Sequence, residues 1–223
     1  MSRAFTRTVV LLIAALFGAM APVDRSDPVP VTVHEWGTFT SIAGEDGQAV
    51  HWFPLTGPQD LPCFVERSRI GIKPSLAGTV RMETPVLYFY AAQDTRVDVT
   101  VRFREGIITE WFPHASVTPA MVSVADIRKP DLESRIAWRN VLVSPLGSAE
   151  FPREASDSHY YAARVTNAAP VRAGSQREKF LFYRGVGNFA PPLAAIAAAD
   201  GTVAIKNPGR RSSRHRDPLR APR

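Results

Sequence analysis

Cysteine is almost absent. The 223 residues hold one, Cys63. A single thiol closes no internal disulfide, so an exported chain of this kind must take its stability from an apolar core. Cys63 stands in LPCFVE among apolar neighbours. That setting predicts a small buried hydrophobe, because no local base or electropositive group accompanies it. Familiar catalytic signatures are also missing. HExxH fails because Glu35 is followed by Trp36, Gly37 and Thr38. There is no G-x-S-x-G and no P-loop. GVGNFA, from Gly185 to Ala190, fits G-x-G-x-x-A after a strand. It fails as a dinucleotide site because Pro191 and Pro192 crowd the helix start, and Lys206 and Asn207 stand where an acid should hold the ribose. No cofactor is expected from these spacings, and no metal site.

Long hydrophobic runs are scarce as well. The one candidate lies in MSRAFTRTVVLLIAALFGAMAP, with a basic start at Arg3 and Arg7, an apolar run, and small residues at Ala19 and Ala21. This is the layout of a signal peptide, expected over residues 1–21. The stretch from Val9 to Val23 falls short of the ~20 residues that cross a bilayer. Pro22 follows the expected cleavage point and disfavours cutting there, so retention by an uncleaved leader is an alternative to release. The expected location is periplasmic or extracellular. Residues 22–30 read as a linker.

Charge of one sign is lacking in the body. The net charge of +6 comes largely from the ends. Residues 209–223 (GRRSSRHRDPLRAPR) carry six Arg against one Asp and predict a basic disordered tail. Without the tail and the leader the chain is close to neutral. The tail can meet any polyanion, but it defines no groove, so no specific nucleic-acid partner is expected.

What is plentiful is turn chemistry. Nineteen prolines and fourteen glycines punctuate short apolar runs. In RVDVTVRFR, Val97, Val99, Val101 and Phe103 alternate with Asp98, Thr100, Arg102 and Arg104, as in a half-buried strand. Glu105-Gly106 is expected to turn the chain and Ile107 to Phe112 to return it as a hairpin. Thr79 to Ala91 reads as a strand interrupted at Pro85. Further strands are expected at Ile136–Val143, His159–Thr166, Lys179–Arg184 and Thr202–Lys206. The pattern predicts an all-β domain over 31–208. Its form is an antiparallel β-sandwich, an immunoglobulin-like arrangement being one version, with one short helix near 193–199.

VTVHEWGTFTSIAGEDGQAVHWFP, from Val31 to Pro54, looks at first like an active site. Strand alternation separates its polar groups. His34 and Trp36 share one face, and Glu35 takes the other. Pairing Ala43 with Gln48 would set Phe39 opposite Trp52 and leave His34 far from His51. Two readings follow. The first is a non-catalytic cell-envelope domain that binds a glycan or an envelope protein, with His34, Trp36, Glu110 and His114 as candidate binding residues. It predicts an exposed aromatic patch or a usable sheet edge. The alternative is a secreted or periplasmic hydrolase, metal-dependent in one version, in which His34, Glu110 and His114 converge.

HEWGTFTS with AGEDG, then RMETPVLYFY, TEWFP and FYRGVGNF, resemble motifs of a group of uncharacterised exported bacterial proteins. The resemblance runs from about Val33 to Asn207. It implies export, and it carries over no catalytic residue. It stops near Pro208, where Arg, Ser and Pro take over, and the members of that group are longer. The expectation is that this chain is the amino-terminal part of a larger protein.

Overall fold

A computed structural model describes residues 30–55, 60–68, 77–83, 85–122, 132–155, 157–191, 193–198 and 200–207. The expected leader and the basic tail lie outside the described residues. In chain order the elements are β1 (Val31–Trp36), β2 (Phe39–Ser41), β3 (Glu66–Arg67), β4 (Val80–Met82), β5 (Val86–Ala91), β6 (Thr95–Arg104), β7 (Gly106–Phe112), β8 (Ser116–Thr118), β9 (Glu133–Val143), a 3-10 helix (His159–Arg164), β10 (Val171–Ala173), β11 (Gln176–Glu178), β12 (Leu181–Gly187), β13 (Ala194–Ala197) and β14 (Val203–Lys206). The described chain is mostly β, with antiparallel sheets and this one short helix.

The first sheet has seven strands. β1 and β2 form one edge, β5 and β4 come next, then β12, β7 and finally β3. The outer strand breaks at Gly37 opposite a break at Pro85. Proline has no N–H to give the ladder. A Cβ on Gly37 would stand 3.0 Å from Pro85 Cα, so a side chain there would press on the neighbouring strand, and glycine lets the two breaks nest. Every residue of β7 and β12 is buried, because this sheet is covered on both faces. Along β12, Leu181 and Tyr183 enter one apolar cluster and Phe182 enters the other.

The second sheet has β9 at its centre, with β6 on one side and β10 and β8 on the other, and β11 beyond β10. β6 keeps the alternation read from its sequence. Val97, Val99, Val101 and Phe103 join the larger cluster, and Asp98, Thr100, Arg102 and Arg104 are exposed. That cluster contains Leu87, Phe89 and Leu181 of the first sheet beside Ile136, Trp138 and Val141 of the second. The smaller cluster lies on the other face of the first sheet, where Tyr160 of the 3-10 helix packs on Phe180 and Phe182.

Four local expectations are corrected. First, β6 and β7 are not a hairpin. β6 pairs with β9, and β7 pairs with β12 and β3. Glu105, at φ 53°, instead turns the chain from one sheet into the other. Second, the segment 193–199 is not a helix. Ala194–Ala197 pairs with Val203–Lys206, closed by a turn in which Asp200 Oδ1 accepts from Thr202 N (3.0 Å) and Oγ1 (2.6 Å), with Gly201 at φ 79°. Turn chemistry and pairing override the helix preference of alanine. Third, His159–Arg164 is a 3-10 helix, capped by Ser158, whose hydroxyl accepts from Tyr160 N. Fourth, Ala43 bridges Ala49, not Gln48. Phe39 lies opposite Met82, and Trp52 bridges Gly78. The chain around Gly47 (φ 77°) uses one more residue than the Ala43–Gln48 pairing would.

Candidate functional site

β1 reaches the edge of the first sheet with its side chains alternating as read. Trp36 lies opposite Val86 and His34 opposite Tyr88. These partners belong to the face that carries the smaller cluster. Glu35 takes the opposite face, where its Oε1 accepts a hydrogen bond from the Tyr183 hydroxyl.

Trp36 is 75% exposed and borders a cleft of about 360 Å³. The floor is aromatic and aliphatic: Val86 and Tyr88 from β5, and Phe180 and Phe182 at the start of β12. One wall is the 3-10 helix, with His159, Tyr160, Ala162 and Ala163. The Tyr88 hydroxyl donates to Ala163 O at 2.7 Å, tying floor to wall. Burial raises the Tyr88 ionisation above its ordinary value.

The polar end of the cleft is Arg184 with Asp60. Arg184 is only 4% exposed. Its Nη1 and Nη2 donate to Asp60 Oδ1 and Oδ2 at 2.9 and 3.1 Å, and its Nε donates to Glu83 O at 2.7 Å. This is a bidentate pair of the strong kind. The Arg184 guanidinium holds the Asp60 carboxyl below its usual range.

The helical wall is itself anchored. Glu178 is fully buried. It accepts from the Tyr160 hydroxyl (3.0 Å), from Arg164 Nε (2.9 Å) and Nη2 (2.6 Å), and from Lys179 N (2.7 Å). The Arg164 guanidinium also lies 4.9 Å from the Tyr161 ring centre and 5.3 Å from that of Phe151. A wall held this way keeps its shape without a ligand, and that lowers the ordering cost of binding.

A second cleft, of about 450 Å³, lies where β3 meets the chain after β7. Glu66 Oε1 and Oε2 stand 2.8 and 3.0 Å from His114 Nδ1. Trp111 Nε1 donates to Glu66 Oε2 at 2.8 Å. The His114 backbone N–H donates to Gln176 Oε1. Ser116, Arg139, Ser175 and Gln176 complete the polar lining.

The four candidate residues therefore separate. Trp36 lines the first cleft and His114 the second. His34 lies beside Trp36 on the outer face of β1, its ring 5.0 Å from that of Tyr90. Glu110 is buried within β7, where its carboxylate accepts from Thr109 Oγ1. β1 and β7 are three strand spacings apart, roughly 14 Å, and β1 and β3 are four apart, roughly 19 Å. The set of His34, Glu110 and His114 required by a metal-dependent hydrolase is not assembled. Among the described residues no three His, Cys, Asp or Glu side chains are grouped to hold a metal ion, and no helix is long and apolar enough to cross a membrane.

Glu66 and Arg184 were not legible as site residues. Each acquires its partner across 48 and 124 positions of sequence, with no local spacing to mark it. Cys63 also differs from expectation. It is exposed, in the irregular loop that leads to β3, where its backbone N–H donates to Glu154 Oε1 at 2.7 Å. No family model, curated protein or solved structure matches the chain.

Proposed function

We propose that this chain is an exported cell-envelope domain of the β-sandwich kind, immunoglobulin-like in layout, whose aromatic cleft beside β1 is a non-catalytic glycan-binding site. The observation that carries the reading is Trp36, a tryptophan 75% exposed at the rim of an aromatic floor. A large exposed apolar ring above a preformed cleft suits the flat C–H face of a sugar, and a nearby pair of charged groups suits its hydroxyls. Asp60, with its side chain 45% exposed, has lone pairs left to accept from such hydroxyls. Export rests on the leader motif, and the resemblance of HEWGTFTS and its companions to an exported bacterial group agrees with it.

The test is a glycan array followed by calorimetric titration of the best oligosaccharide into the full chain. Trp36→Ala is expected to weaken binding by about tenfold, the worth of one aromatic contact of about 1.4 kcal/mol. Its melting temperature should stay close to that of the parent, because little of the ring is buried. Unchanged affinity in Trp36→Ala, or no oligosaccharide bound at millimolar concentration, would sink this reading.

A further inference from the structure

The second cleft holds a pair of groups that the glycan-binding reading does not use. We propose that His114, oriented by Glu66, is a general base that hydrolyses a carboxylic ester with a small acyl group. A carboxylate on Nδ1 fixes the imidazole in the tautomer that carries its proton there. The basic Nε2 is then left for the cleft, and the His114 side chain is 74% exposed. Glu66 is a positioning residue. It is held in turn by Trp111 Nε1 at 2.8 Å, and the main chain of His114 is held by Gln176 Oε1. This is the base-plus-orienter arrangement that proton transfer requires. A metal is not needed for it.

The chemistry balances with water as the only co-reactant. His114 Nε2 takes a proton from water while the water oxygen bonds to the ester carbonyl carbon. The carbonyl π electrons move to its oxygen, where the donors in the cleft lining are the Gln176 amide N–H groups and the Arg139 guanidinium, whose Nη1 also donates to Asp98 Oδ2 at 3.0 Å. Collapse of the tetrahedral species breaks the acyl C–O bond. The proton on His114 Nε2 passes to the departing alkoxide. Acid and alcohol leave, and the imidazole is neutral again. Glu66 stabilises the imidazolium that exists between the two transfers. Water is the nucleophile in this scheme, because no hydrogen bond joins His114 to Ser116 or Ser175, the two serines of the lining, among those between described residues. An ester is the fitting substrate class, since its alkoxide leaves without the stronger acid an amide nitrogen needs.

The experiment follows hydrolysis of 4-methylumbelliferyl acetate by the full chain from pH 5 to 9. The expected result is saturable turnover that rises through a single ionisation. His114→Gln should lower it about 100-fold, and Glu66→Gln should lower it and shift the pH profile. Leu146→Ala, at a residue 99% exposed and outside both clefts, should leave it unchanged. A rate no greater than that of free imidazole at the same concentration would overturn the proposal, as would full activity in His114→Gln. Nitrogen NMR of the parent protein gives a readout that survives misfolding of a variant. It should find the His114 proton on Nδ1 at pH 8, and a proton on Nε2 would overturn the proposal.

Discussion

The Tyr183 hydroxyl donates its hydrogen to Glu35 Oε1, joining β12 to β1 over the intervening β5. Burial, then the hydrogen bond to Glu35, then the charge of Glu35 raise the ionisation of this phenol far above the ordinary tyrosine range. Tyr160 and Tyr88 are shifted the same way, chiefly by burial. A folded-state value above the unfolded one, which is about 10, gives stability that is complete below about pH 10 and lost as pH rises past it. The melting temperature should fall steeply above about pH 10. In Tyr183→Phe that alkaline fall should be shallower, and an equally steep fall would show that Tyr183 is not linked to it.

At the acid end the sign is reversed. Asp60 is held below its ordinary value mainly by its hydrogen bonds to Arg184. Its contribution to stability is present above the unfolded value, about pH 3.9, and is lost as pH drops through the lower folded value. A melting series from pH 6 to 2 should show Asp60→Asn losing less on acidification than the parent. At pH 7 the same variant should be less stable by about 2 kcal/mol, the worth of hydrogen bonds to a charged group.

Glu178→Ala should be among the most damaging single changes. It strands Arg164, whose side chain is 13% exposed, and the buried Tyr160. Breaking a buried pair in this way costs about 3–5 kcal/mol. Chemical denaturation should measure a loss of that size. A loss under 1 kcal/mol would mean that the 3-10 helix is held mainly by its aromatic contacts.

Two glycines allow a matched comparison. A Cβ on Gly185 would lie 2.6 Å from Ile107 O and 2.7 Å from Phe103 Cε1, inside the core and partly against backbone that cannot rotate away. A Cβ on Gly174 would meet nothing within 4 Å, but its φ is +57°. Gly174→Ala should cost about 1–2 kcal/mol, the price of a left-handed conformation alone. Gly185→Ala should cost more, about 3 kcal/mol, with the strands of the first sheet pushed apart. Urea midpoints would rank the two, and the reverse order would refute the packing argument.

The parts of the fold that could be read in the sequence are those decided by one strand's own two faces. The alternation of β6 and the opposition of Glu35 to His34 and Trp36 follow from the geometry of a single extended segment. Pairing was harder, because it depends on what lies dozens of residues away. HYYAAR has the aromatics of a strand, yet it becomes a 3-10 helix because Glu178 captures both Tyr160 and Arg164. The alanines of 194–197 favour a helix, but Ile196 lies against Gly47 and its strand pairs through a turn that Asp200 closes. Of the candidate residues, Trp36 and His114 reach clefts. His34 and Glu110 could not be placed without knowing that β5, β12 and β7 stand side by side.

The turn at Glu105 has a consequence in time. By sending β7 away from β6, it removes the hairpin that would otherwise form first and by itself. β6 must wait for β9, which begins at Glu133, and β7 has only the two-residue β3 to pair with until β12, which begins at Leu181. The chain emerging from a ribosome therefore cannot complete either sheet until most of the described residues have been made. Its closing loops are long, and proteins dominated by such pairings fold in about milliseconds to seconds. During that interval the valines of β6 and the aromatics of β7 are uncovered together, on neighbouring stretches of chain, and a holdase that binds apolar extended segments would find its target there.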